Sequence, residues 1–266
     1  MNDIVDEGAR AARQATNHRW FERVARLGFA GSGLIHLLIG WIAARVALGG
    51  GGEADQGGAL AAVREAPAGG VLLWVCVVGF ATLAIFQLVE GVLGGPDLTD
   101  RLKAVGKGIL YAALGVTTFT YARGGSSDSG ESTTDLTATL LQAPLGRWLV
   151  AAVGVAVAAV GAYHVFKGLT HRFLEDLRSS GGGDLGRAIV VTGTLGYAAK
   201  GVALVVLGGL FGVAAWRADA DEAAGLDAAL KALAEQPFGT VLLLAVALGL
   251  ILFGVYSVIR ARYARM

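Results

Sequence analysis

Apolar residues gather into six long blocks, at about residues 27–48, 70–93, 104–122, 147–169, 190–215 and 238–260. Each is near the ~20 residues that a helix needs to cross the hydrocarbon core of a bilayer. Polar material separates them. "GGGGEADQGG" (49–58), "RGGSSDSGESTTD" (123–135) and "WRADADEAAG" (216–225) are rich in Gly, Ser and acids. "GGPDLTDR" (94–101) reads as a short turn and "RSSGGGDLGR" (178–187) as a flexible joint. The pattern predicts an all-α integral membrane protein with six transmembrane helices.

The blocks repeat. "GLIHLLIG" (33–40), "GILYAALG" (108–115) and "GVALVVLG" (201–208) align without gaps, placing Gly33 and Gly40, Gly108 and Gly115, and Gly201 and Gly208 in register. Each even-numbered block opens from a Pro-x-Gly, at Pro67, Pro144 and Pro237, and each has an aromatic nineteen residues later: Phe86, Tyr163 and Tyr256. Glycines seven apart share a helix face and let a neighbouring backbone come close. Proline in a first helical turn forfeits no hydrogen bond. A short amphipathic stretch precedes each proline, as in "GLDAALKALAEQ" (225–236), and is expected to lie along the outer membrane surface. Each unit crosses twice, so successive units enter alike. The prediction is three parallel two-helix repeats, 27–95, 101–169 and 188–262, related by pseudo-threefold symmetry. A cytoplasmic or interfacial segment, 1–26, precedes them, and a cytoplasmic linker, 170–187, joins the last two.

Charge orients this plan. Fourteen Lys and Arg fall in the termini and the second and fourth connections. Five fall in the other loops, beside eleven acids. The positive-inside rule then puts both termini in the cytoplasm. The polar start lacks the layout of a cleaved signal peptide and is expected to be retained. A single cysteine, Cys76, excludes an internal disulfide framework. Mean hydropathy is +0.60 and net charge +1, which gives no case for a nucleic-acid partner.

These tandem glycine and Pro-x-Gly units resemble a bacterial membrane-protein family of unknown function, typical of high-GC Gram-positive bacteria, across residues 19–262. The resemblance implies the two-helix architecture and a plasma-membrane location. It supplies no activity and no catalytic residues.

Aligning the repeats stacks the intramembrane polar residues into layers: Ser32, Lys107 and Lys200; His36, Tyr111 and Leu204; Gln87, His164 and Ser257; Glu90, Lys167 and Arg260. Ionisable groups at such depth are costly and mark candidate sites. Lys107, Lys167 and Arg260 also suit snorkelling to headgroups, Glu90 suits a structural pair, and the histidines suit packing. The functional reading is a cytoplasm-facing basic pocket that binds or passes a small anion or an acidic lipid headgroup. Its candidate ligands are His36, Gln87, Glu90, Lys107, Tyr111, His164 and Lys200. The competing reading is a structural or accessory subunit that packs against partner proteins. No cofactor or metal is predicted. Haem held by His36 and His164 is disfavoured, because the two sit at different depths, roughly 14 Å and 8 Å from the cytoplasmic edge. No nucleotide, zinc-protease or serine-hydrolase motif is present, and the reading leans away from an enzyme.

Overall fold

The computed structural model describes residues 19–93, 97–178 and 182–263, which are helical with short connections. Most of the amino-terminal segment, 1–18, lies outside the described residues, as do 94–96, 179–181 and 264–266. The long helices are α1 (Arg19–Ala47), α3 (Gly69–Leu93), α4 (Leu98–Ala122), α6 (Gly146–Leu169), α7 (Gly183–Arg217) and α9 (Gly239–Tyr263). Short helices precede three of them: α2 (Gln56–Glu65), α5 (Ser129–Gln142) and α8 (Gly225–Ala234).

Five of the six long helices, α4 being the exception, are long and apolar enough to cross a membrane. Asp100, Arg101, Lys103 and Lys107 crowd the first half of α4, and threonines and tyrosines fill its second half. Many large apolar side chains on these helices face outward, among them Val71, Val78, Ile85, Val92, Ile109, Val155 and Leu248. A water-soluble domain does not expose apolar surface on this scale. The chain is a helical membrane protein.

The described residues form two compact units. One holds residues up to Gly31 together with Val63–Gly125; the other holds Ser32–Ala62 and residues from Ser126 onward. In the first, a side chain at Gly79 would come within 2.8 Å of the Gly28 nitrogen, and one at Gly108 within 2.8 Å of Leu88. These contacts seat α1 and α4 on α3. Arg101 fastens the end of α3, donating to the carbonyls of Gly91 (2.9 Å) and Val92 (2.8 Å).

In the second unit the backbones approach at paired glycines. Gly161 faces Gly201 and Gly154 faces Gly208 between α6 and α7; Gly33 faces Gly254 between α1 and α9. A β-carbon at Gly201 would sit 2.5 Å from the Gly161 carbonyl oxygen, and one at Gly254 2.7 Å from that of Gly33. Such contact lets dispersion and packing join helices where the hydrophobic effect offers nothing. The pattern is the same in both units: the second long helix of one repeat meets the first long helix of another, at α3–α4, α6–α7 and α9–α1.

The Pro-x-Gly signals do a different job from the one expected. Each proline lies outside its helix, at the second position of a turn. The residue after it is left-handed, at φ 60° for Ala68, 62° for Leu145 and 63° for Phe238. The glycine then donates back to the residue before the proline: Gly69 to Ala66 (2.9 Å), Gly146 to Ala143 (2.9 Å) and Gly239 to Gln236 (2.7 Å). Proline followed by a positive φ is the geometry of a type II turn. The long helix begins at the glycine.

The short helices are tied to one another near their starts. The Ala54 amide donates to Asp227 (2.8 Å), and the Gly57 amide to Ser129 (3.1 Å). Ala59, Leu60, Ala229 and Leu230 are buried. These helices therefore bury apolar faces against protein.

Candidate functional site

Lys200 stands midway along α7, in the second unit. Its Nζ lies 4.4 Å from the centre of the Phe253 ring, which α9 supplies. The His36 ring, from α1, packs 4.8 Å from the same phenyl group. His164, from α6, lies 5.6 Å from Tyr197, and Tyr197 packs edge-on against Phe253 at 5.1 Å. Lys200 is within electrostatic reach of both imidazoles. Four helices thus converge on one aromatic-walled cluster of three nitrogen bases.

The imidazoles are fixed in orientation and tautomer. Nδ1 of His36 is 2.7 Å from the Ser32 carbonyl, and Nδ1 of His164 is 2.8 Å from the Val160 carbonyl. A carbonyl only accepts, so Nδ1 carries the hydrogen in both. The neutral rings therefore present Nε2 as a bare lone pair, and protonation converts each Nε2 into a donor.

Lys200 has no carboxylate or hydrogen-bond partner among the described residues. Lys167 and Arg260 differ. Asp176 bridges them, 2.7 Å from the lysine and 3.3 Å from the arginine. Asp176 ends a 3₁₀ turn, Arg172–Asp176, in the stretch expected to be linker. Phe173 in that turn is 0% exposed. Its ring fills the notch left by Gly193, and Tyr256 donates to its carbonyl at 3.1 Å. The Arg178 backbone amide then donates to the Tyr263 carbonyl (2.8 Å). The linker starts as a docked element that covers one end of the cluster.

Of the residues singled out from sequence, the second unit brings together His36, His164 and Lys200. Gln87, Glu90, Lys107 and Tyr111 lie in the first unit. There Glu90 and Lys107 are exposed, Gln87 is half-buried, and Tyr111 stacks on Phe80 at 6.5 Å. Ser257 is buried and donates to its own helix at Phe253 (2.8 Å). Asp176, Phe173, Tyr197 and Phe253 escaped sequence reasoning. The apolar Phe173, Leu174 and Leu177 within an otherwise polar connection were the available signal, since solvated linkers rarely carry three.

A second polar cluster lies in the loops, where Glu53, Asp55, Asp128 and Asp227 line a depression. Burial, aided by the neighbouring carboxylates of Asp227 and Asp128, pushes Asp55 above the usual range. The three aspartates are engaged internally. Asp55 accepts from Gly58, Asp128 from Gly130 and Glu131, and Asp227 from Ala54 and Lys231. Among the described residues no group of three or more His, Cys, Asp or Glu could hold a metal ion.

Comparison with known proteins matches the chain three times to one family model, described as "Domain of Unknown Function (DUF1206)", over residues 27–94, 102–171 and 195–264. Each match starts within α1, α4 or α7 and ends just past α3, α6 or α9. The chain is 28% identical over 258 residues to the uncharacterized protein YxxB of Bacillus subtilis (strain 168), covering 93% of this chain and 92% of that protein. No solved structure matches.

Proposed function

We propose a function from the premise that this chain belongs to the DUF1206 family, whose role is unknown: it holds a small oxyanion inside the membrane, at Lys200 between His36 and His164. The observation that carries this reading is the uncompensated ammonium of Lys200. Taking an ammonium out of water costs several kcal/mol. Its contact with Phe253 returns about 0.5–2 kcal/mol. The difference calls for an anion.

The flanking imidazoles set the local polarity. Each Nε2 repels an anion while it carries a lone pair and attracts one when protonated. The free oxyanion and the oxyanion of a lipid headgroup share this chemistry. The wider frame of the proposal is a bacterial plasma-membrane protein with six spans in three parallel repeats and both termini cytoplasmic. The excess of Lys and Arg on one set of connections supports that orientation, and the recurring contact between the second long helix of one repeat and the first of another supports the repeat plan.

A structural reading competes, because Asp176 pairs with both Lys167 and Arg260 and Phe173 closes that end. Titration of the purified protein with inorganic phosphate at pH 5.5 and pH 7.5 separates the two. The expected result is phosphate binding at both pH values that weakens at least tenfold in Lys200→Gln. Equal affinity in wild type and Lys200→Gln, or no binding at either pH, overturns the free-anion reading. Retention of phosphatidylglycerol that depends on Lys200, measured on the same samples by native mass spectrometry, identifies the headgroup as the source.

A further inference from the structure

A groove of about 330 Å³ runs between the start of α6 and the end of α7. Arg147, Trp148 and Trp216 rim it, and Ala151, Gly212 and Ala215 form its floor. We propose that this groove binds one anionic phospholipid, with the lipid phosphate on Arg147 and an acyl chain along the floor.

The guanidinium is held in place before any ligand arrives. Arg147 donates through Nε to the Ala215 carbonyl (2.9 Å) and through Nη2 to the Trp216 carbonyl (2.5 Å). Those bonds satisfy the last carbonyls of α7 and leave both N–H bonds of Nη1 without a carbonyl acceptor. No carboxylate pairs with Arg147 among the described residues. A planar guanidinium with free N–H bonds is suited to phosphate oxygens.

The two indoles set the depth. Trp148 is 75% exposed and Trp216 is 82% exposed, at the ends of two long apolar helices. Tryptophan gathers at the headgroup level, with its ring in the apolar region and its N–H toward water. The floor below them is open: a β-carbon added at Gly212 meets nothing within 4 Å. A groove with a cation at the interface and an apolar floor beneath it repeats the layout of a phospholipid.

Charge and chemistry choose among occupants. A second transmembrane helix in the groove would have to bury the guanidinium against apolar side chains. Among the described residues no carboxylate lines the groove to receive the ammonium of a zwitterionic headgroup. Both points favour an anionic lipid. The equivalent positions in the other repeats are Gly70 and Thr240, so the site belongs to the second repeat alone.

The test is native mass spectrometry of the full chain released from bilayers of phosphatidylglycerol and phosphatidylcholine. One retained phosphatidylglycerol per chain is expected in wild type, falling at least fivefold in Arg147→Gln and in Gly212→Leu. The second variant guards against a folding artefact, because its side chain enters open space and leaves the α7 cap intact. Unchanged retention in Gly212→Leu overturns the proposal, as does equal retention of the two lipids. So does a loss in Gly212→Leu of a self-associated form with lipid retention unchanged, which would assign the groove to a second copy.

Discussion

At Ala68, Leu145 and Phe238 the chain turns left-handed with residues that carry a β-carbon, a conformation costing roughly 1–2 kcal/mol each. The turn tolerates this because the following glycine has no substitute. A β-carbon at Gly69, Gly146 or Gly239 would land on the carbonyl oxygen of Val63, Leu140 or Ala234. Gly239→Ala should therefore destabilise the protein by at least about 2 kcal/mol, seen as a lower melting temperature in detergent. Gly209→Ala, where a β-carbon meets nothing within 4 Å, should leave it unchanged or raised. Equal losses in both would show that general helix-packing disruption, and not the turn, sets the cost. The motif was legible in sequence, but its geometry was not, because proline's fixed φ suits a first helical turn and a type II turn equally. The tautomers of His36 and His164 were likewise out of reach. They depend on a carbonyl one helical turn back that only the fold aims at Nδ1.

Among elements, the docked stretch 172–178 changes most in the picture that sequence offered. Read by composition, the segment is a charged tether. In the structure Phe173 anchors it and Asp176 occupies the rim of the basic cluster as an internal carboxylate. An incoming anion competes with that carboxylate for Lys167 and Arg260. Asp176→Asn should therefore raise phosphate affinity severalfold while lowering the melting temperature, since two half-buried cations lose their partner. Phosphate titration and thermal melting of the same preparation read both effects. Lower affinity in Asp176→Asn would make the aspartate part of the ligand-binding surface and refute the competition. Sequence alignment of the repeats found Lys167 and Arg260 because they lie at equivalent positions. It could not find Asp176, which sits between repeats and has no equivalent. In the sequence Arg147 is only one of the five Lys and Arg counted in the other loops, because its carbonyl acceptors lie 68 and 69 residues away.

For the whole molecule, the three tandem repeats were the most legible feature, since a transmembrane helix declares itself by composition and a repeat by register. What composition leaves open is α4, whose charges and hydroxyls place it below the five clear spans. The repeat supplies the argument for a sixth crossing. α4 occupies the slot that α1 and α7 fill in the other units, begins from the Asp97 cap, and runs 25 residues, enough for about 37 Å at 1.5 Å per residue. Its four early charges can reach headgroups from the helix start. The prediction is that Lys103 and Ser126, at its two ends, lie on opposite sides of the membrane. In a Cys76→Ser background, Ser126→Cys should react with a membrane-impermeant maleimide added to intact cells. Lys103→Cys should react only after permeabilisation, as the excess of Lys and Arg on its side requires. Labelling of both from the same side would leave α4 along the surface and reverse the orientation of every helix on one side of it. The third repeat would then enter the membrane opposite to the first, and the parallel plan would fall with it.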